Sequence, residues 1–332
     1  MTREIVVNGR FLSRRITGVE RYGRAVLSLI GDSCRLEKTR VNGLRGHIWE
    51  QFILPSKLNS ESILWSPANT GPLAIRNQAL TIHDLSPLEH PEWFRKSFAA
   101  WYRLFLPILA KRVRVIFTPS EYVKRKICAR FGISHVIVTP NGVDCSIFHP
   151  HARQDKYDLP QKYILFLGTL EPRKNLNGLL QAWHELRNDF QDTWLIVAGT
   201  RGNVFKPIKL STEVERVRFV GYVEDEDLPG LYAGASLFVL PSFDEGFGLP
   251  ALEAMACGIP VIVADGGALC EVVGDAGIIF DLSKSGGLSS AMSECLSDKS
   301  LHLSLKEKGL ARAKSFSWQR AADIILKTLN EI

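Results

Sequence analysis

Two glutamates, Glu245 and Glu253, stand with seven residues between them, and Gly246-Phe247-Gly248-Leu249-Pro250 follows the first directly. The apolar run Ser236–Leu240 ahead of them predicts a strand and Pro241–Leu249 a loop. Pro250 suits the first turn of a helix that carries Glu253 and stops at Gly258 before Pro260. A helix start presents unpaired backbone N–H groups and the positive end of its dipole. Acceptor carboxylates on either side of it suit a hydroxyl-rich ligand with a phosphate in the middle.

The run DEGFGLPALEAMACGIPV that holds both glutamates closely resembles the retaining GT-B glycosyltransferases of the family 4 type. Other segments fall in the order that resemblance requires. LGTLEPRKNL (Leu167–Leu176) is similar to the family's second-domain opening, which assigns Arg173 and Lys174 to the donor diphosphate. Two cations there neutralise charge as the glycosidic bond breaks. Thr17-Gly18-Val19-Glu20-Arg21 resembles the loop whose glycine brings backbone close to that phosphate, although many members carry Gly-Gly where this chain has Thr17-Gly18. His83-Asp84 resembles the His-Asp near the sugar, and Asn141-Gly142-Val143-Asp144 a motif before the interdomain linker. His47–Pro55 (HIWEQFILP) and Asn69–Pro72 resemble bacterial members acting on polysaccharide or lipopolysaccharide.

The resemblance implies an α/β fold of the GT-B type, two doubly wound Rossmann-like domains facing a cleft. It also implies retention: the nucleoside diphosphate departs, an oxocarbenium-like centre forms, and the acceptor hydroxyl enters on the same face, its proton passing to the leaving phosphate. Arg173 and Lys174 would stabilise the leaving group, Gly18 admit the diphosphate, and His83 bond the transferred hexose. Glu253 would grip the ribose. Glu245, with the amides of Phe247 and Gly248, would hold the donor sugar, Leu249 would also line the donor site, and backbone around Phe219–Val223, including Tyr222, and near Gly199 would meet the base. GDP-mannose or a related GDP-sugar is the favoured donor, and a glycan or lipid-linked glycan the acceptor. No metal or cofactor is expected, because cations and helix amides supply the positive field and no Asp-x-Asp stands in a metal-binding context.

The elements needed to hold these residues are legible as short apolar runs that end in Gly, Pro or polar residues, the pattern of buried parallel strands with ligand loops at their C-terminal ends. Strands are expected at Ile5–Val7, Ala79–Ile82, Val115–Phe117 and His135–Val138, then at Tyr163–Leu167, Trp194–Ala198, Arg218–Val220, Ser236–Leu240, Val261–Ala264 and Ile278–Phe280. Helical spacing marks Val19–Ile30, Asn175–Leu186 and the amphipathic Trp318–Leu329. Phe148–Leu159 is polar and aperiodic, a linker. The expected division is an acceptor domain over 1–152, joined by a C-terminal helix in 316–332, and a nucleotide-sugar domain over 153–315.

A chain of 332 residues exceeds what one core usually supports, which agrees with two domains. Six cysteines without a C-x-x-C pair argue against a zinc knuckle or disulfide framework and for a reduced, cytoplasmic protein. No apolar run is long enough to cross a membrane. Residues 1–150 carry 22 Lys and Arg against 11 Asp and Glu, and the remainder 19 against 24, so the first half is basic and the second mildly acidic. A basic half suits an anionic partner. Between Glu92 and Arg130, Trp93, Phe94, Trp101, Tyr102 and Phe105 interleave with Arg95, Lys96, Arg103, Lys111, Arg112 and Arg114. That composition suits peripheral contact with an anionic bilayer on the cytoplasmic side.

Other functions fit less well. A paired-carboxylate glycosidase has no use for the Arg-Lys pair, and a dehydrogenase would need the G-x-G-x-x-G of which Gly199–Gly202 is a fragment. No nucleic-acid reading motif is present, so nucleic acid is not an expected partner. A nucleotide-sugar epimerase of similar architecture is the remaining enzymatic alternative.

Overall fold

A computed structural model of the chain describes residues 4–153, 156–202, 204–206 and 214–332. Among these, twelve strands form two six-stranded sheets whose paired strands are all parallel. Contacts divide the chain into two compact units. One holds residues up to Glu89, Ser97–Gly142 and Ser317–Ile332; the other holds His90–Lys96 and Val143–Phe316.

The sheet of the first unit contains β1 (Ile5–Asn8), β2 (Arg35–Glu37), β3 (Ile63–Ser66), β4 (Gln78–Thr81), β5 (Val115–Thr118) and β6 (Val136–Val138), in the order β2-β1-β3-β4-β5-β6. β1, β3, β4 and β5 are buried along their whole length, because helices cover both faces of a doubly wound sheet. The helix Gly18–Ile30 turns Tyr22, Val26 and Ile30 inward at four-residue spacing, and its start is closed by Glu20, which accepts from the backbone N–H and the hydroxyl of Thr17. The last helix, Trp318–Glu331, is capped by Ser317 and buries Ala321, Ala322, Ile325 and Leu329 in the same core as Ile5, Val7, Tyr22 and Trp65. Truncating one such leucine to alanine costs about 2–5 kcal/mol.

The second unit contains β7 (Lys162–Leu167), β8 (Thr193–Ala198), β9 (Val217–Gly221), β10 (Leu237–Leu240), β11 (Val261–Ala264) and β12 (Ile278–Phe280), in the order β12-β11-β10-β7-β8-β9. Read from its other edge this is the strand order 3-2-1-4-5-6 of a dinucleotide-type Rossmann sheet, in which connections reverse direction between β7 and β10. In the first unit the reversal lies between β1 and β3. Loops leaving the C-terminal ends of such strand pairs diverge and leave room for a ligand.

Residues 148–153 and 156–159 contain neither helix nor strand and lie within the second unit, where Phe148 sits edge-on to Tyr232. Gln154 and Asp155 of the expected linker lie outside the described residues. Two strands have no counterpart in the sequence reading, β2 and β3. The run Gly43–Ser56, part α-helix and part π-helix over Trp49–Ile53, was likewise unforeseen.

Candidate active site

Arg173, Lys174 and Glu245 meet at the reversal point of the second sheet. The first two sit on a 3₁₀ turn, Pro172–Lys174, that follows β7, and Asn175 in the left-handed conformation (φ 52°) redirects the chain into the helix Leu176–Leu186. Glu245 lies on the loop that follows β10. One carboxylate oxygen of Glu245 accepts from Arg173 Nη1 at 2.8 Å; the other accepts from Lys174 Nζ and from Ser242 Oγ, the latter at 2.7 Å. Arg173 is held further by Asp244 O (3.0 Å) and by Glu171 Oε1, which takes its Nε at 2.9 Å and its Nη2 at 2.8 Å.

Glu245 is buried, which alone would raise its pKa. The charges of Arg173 and Lys174 and the hydrogen bonds from Lys174 and Ser242 win, and hold it at about 2. It is therefore a carboxylate that can only accept hydrogen bonds. Glu171 goes the other way: burial pushes its pKa up against the pull of Arg173 and Lys174, and Glu245 pushes it the same way. Its second oxygen is buried without a hydrogen-bond partner among the described residues.

Glycines lock this loop to its neighbours. Gly267 has φ +71°, and a Cβ there would stand 2.3 Å from the backbone N of Glu245 and 2.4 Å from its O; a Cβ on Gly266 would stand 2.5 Å from the carbonyls of Ser242 and Phe243. Gly248 (φ +101°) caps the helix Leu249–Ala256, which carries Pro250 in its first turn. Glu253, one turn further on, is 1% exposed and accepts from the Tyr232 hydroxyl at 2.9 Å. Phe247 and Leu249 are buried, Phe247 edge-on to Phe316 at 5.7 Å, and Tyr222 is half-buried just beyond β9.

Gly18 and His83 belong to the first unit. Gly18 opens its helix with no positive φ, and a Cβ added there would meet nothing within 4 Å, so neither packing nor backbone conformation calls for glycine. His83, just past β4, is buried edge-on to Tyr22 at 4.8 Å. Its Nε2 lies 2.8 Å from Pro67 O and therefore carries the proton, which leaves Nδ1 as an acceptor. Burial lowers its pKa against the pull of the Pro67 hydrogen bond and of Asp84, which favours the uncharged ring. Its backbone N–H donates to Asn69 Oδ1 at 2.7 Å, and Asn69 itself adopts φ 62°.

The residues that sequence reasoning missed are those that serve these: Glu171, Ser242, Asp244, Tyr232 and the Gly266-Gly267 pair. Glu171 lies inside the LGTLEPRKNL run and was within reach. Ser242 and Asp244 lie beside Glu245 in the chain, but the reach of Asp244 to Arg173, 71 positions away, and the partners of Tyr232 and of Gly266-Gly267 are set by the fold.

A Rossmann sheet with a cation pair and a carboxylate at its reversal point, preceded in the chain by another doubly wound parallel sheet, fits a GT-B glycosyltransferase. Residues 150–312 match the family described as glycosyl transferases group 1, and residues 63–147 match glycosyltransferase family 4. The chain is 37% identical over 261 residues to O-antigen chain mannosyltransferase B of Escherichia coli, covering 75% of this chain and 68% of that protein. It is 32% identical over 192 residues to the serotype-specific mannosyltransferase WbdA of the same organism, covering 56% of this chain and 24% of that protein. The sucrose-phosphate synthase of Thermosynechococcus elongatus superposes with a TM-score of 0.77 at 18% identity, covering 100% of this chain and 99% of that one. The chain belongs to the family 4 glycosyltransferases. The epimerase alternative finds no support among these relatives.

Proposed function

We propose that the chain transfers a mannosyl group, with retention, from a nucleotide diphosphate-mannose, GDP-mannose being the favoured donor, to a glycan or lipid-linked glycan in O-antigen or related polysaccharide synthesis. The observation that carries the proposal is the Arg173–Lys174–Glu245 cluster at the reversal point of the second sheet, in a chain 37% identical to an O-antigen mannosyltransferase. Diphosphate oxygens take Arg173 and Lys174 in exchange for part of their contact with Glu245, and Glu245, ionised, accepts from hydroxyls of the donor sugar. Glu171 keeps Arg173 in place during the exchange. Glu253 bonds the ribose, Tyr222 and its neighbours lie against the base, and the neutral His83 offers Nδ1 to a hexose hydroxyl. The acceptor's proton leaves on the phosphate, and the positive field comes from side chains and helix amides, without a metal.

Among the described residues no helix is long and apolar enough to cross a membrane. Cytoplasmic placement and peripheral contact of the basic first half with an anionic bilayer are part of the same proposal. A thermal-shift panel of GDP-, UDP- and dTDP-sugars tests the donor. A ligand at a hundredfold excess over its Kd stabilises by about 2.7 kcal/mol. GDP-mannose is expected to give the largest shift; a shift with UDP-sugars alone overturns the choice of base.

A further inference from the structure

We propose that the first unit docks on an anionic bilayer through one apolar face shared by two helical segments, Leu44, Ile48 and Phe52 on the run Gly43–Ser56 and Trp101, Leu104 and Ile108 on the helix Lys96–Arg112. This names the surface for the membrane contact included in the proposed function. All six side chains are exposed, Leu44 at 78%, Phe52 at 75% and Leu104 at 70%. Their spacing, four and four on the first segment and three and four on the second, aligns each set along one helix face. The two sets meet where the His47 ring lies 5.4 Å from that of Trp101. Soluble monomers seldom present two neighbouring rows of large apolar side chains unless something covers them.

The charge around the face identifies what covers it. From Lys38 to Ser56, Lys38, Arg40 and Arg45 are exposed, while the one acidic residue, Glu50, is buried against Arg10 at 2.7 Å. From Ser97 to Ser120 there is no Asp or Glu, and Arg103, Lys111 and Arg114 are exposed. Exposed apolar side chains, two of them aromatic, on segments whose exposed charges are all cationic match an anionic lipid surface. There each basic group raises partitioning about fivefold and each buried apolar group adds to it. The same anchorage makes the face rigid: Glu50, in the wide π-turn, also accepts from Asn8 Nδ2 at 2.8 Å and Thr70 Oγ1 at 3.1 Å, while Phe52 and Ile53 point to solvent.

This face differs from the one that the sequence suggested. Of the interleaved aromatics between Glu92 and Arg130, Phe94 and Phe105 are buried, and Trp93 stacks on His90 at 3.9 Å. Trp93, Arg95 and Lys96 belong to the second unit. Only Trp101 of the five is exposed, and its neighbours on the face come from a segment some fifty residues earlier.

Flotation of the full chain with vesicles of equal parts phosphatidylglycerol and phosphatidylcholine, and with phosphatidylcholine alone, tests the proposal. The wild type is expected to float with the anionic vesicles at low salt and to be released at high salt. Combined Leu44→Ser, Phe52→Ser and Leu104→Ser, or combined Arg45→Glu, Arg103→Glu and Lys111→Glu, lowers the bound fraction about tenfold or more. Melting temperature and the shift given by GDP-mannose stay unchanged, because these side chains touch solvent. No flotation of the wild type at low salt, or undiminished flotation of the apolar triple variant, overturns the proposal. So does a wild-type dimer in sedimentation that the same serines dissolve, which would make a second copy the cover. Failure of GDP-mannose to shift the wild type counts against the donor reading and leaves the docking result to stand or fall alone.

Discussion

The guanidinium of Arg173 and the carboxylate of Glu245 lie 2.8 Å apart, delivered by loops that leave two hydrogen-bonded parallel strands, β7 and β10. Two β-strand C-termini thus place a cation and an anion together. Glu245→Gln keeps the shape and removes the charge, and is expected to lower kcat by about 10²–10³-fold, as for loss of one preorganised polar group in an active site. Turnover within a factor of two of wild type in an initial-rate assay would remove Glu245 from the mechanism.

The same pair sets an acid limit on stability. Glu245 falls from an ordinary 4.5 to about 2, so the folded state binds fewer protons than the unfolded state between those values. Its contribution is complete above about pH 4.5 and is lost as pH falls towards 2. Glu245→Gln is expected to flatten the decline of chemical-denaturation midpoint over that window; an unchanged slope contradicts the assignment.

Tyr232→Phe leaves a Glu253 oxygen short of its hydroxyl donor in a buried setting. Loss of a hydrogen bond to a charged group costs about 1.5–3 kcal/mol. Calorimetric titration should show weaker nucleotide binding with kcat on saturating donor little changed. The opposite split, a fall in kcat with unchanged affinity, would put Glu253 at the reacting sugar instead of the ribose.

Two glycines separate folding from function. Gly267→Ala must push a methyl into the Glu245 backbone at a positive φ, and is expected to lower the melting temperature and abolish transfer together. Gly18→Ala meets nothing, so stability holds or rises by about 0.4–1 kcal/mol while kcat/KM falls, if a ligand phosphate approaches that backbone. Full activity in a stable Gly18→Ala enzyme would reduce Gly18 to an ordinary helix start.

Much of this was legible in the sequence because most buried parallel strands read as short apolar runs, although the equally buried β3 was not read. β10 and β11, and β7 after its first residue, are uninterrupted apolar runs, and the Gly/Pro punctuation after β10 located both Glu245 and the helix holding Glu253. β2 escaped notice because Arg-Leu-Glu is a three-residue edge strand, charged at both ends. The ring of partners around Arg173 escaped for a different reason. Glu171 is two residues away in sequence, but Asp244 reaches Arg173 only through strand order, as Gly267 reaches Glu245, and periodicity does not encode strand order. The exposed apolar face was invisible too, since helical spacing shows that a stripe exists and not which stripe the core leaves uncovered.

Metal independence follows from the proposed charge distribution. Transfer after exhaustive dialysis against EDTA is expected to match the untreated rate, and restoration of lost activity by magnesium or manganese would show that Arg173 and Lys174 do not suffice.

The most direct test of the central claim is the anomeric configuration of the product. Incubation with GDP-α-mannose and a mannan oligosaccharide acceptor, followed by NMR of the new glycosidic linkage, is predicted to give an α-linked mannosyl extension and free GDP in equal amounts. A β-linked product, or release of GDP with free mannose and no extended acceptor, would contradict retaining transfer.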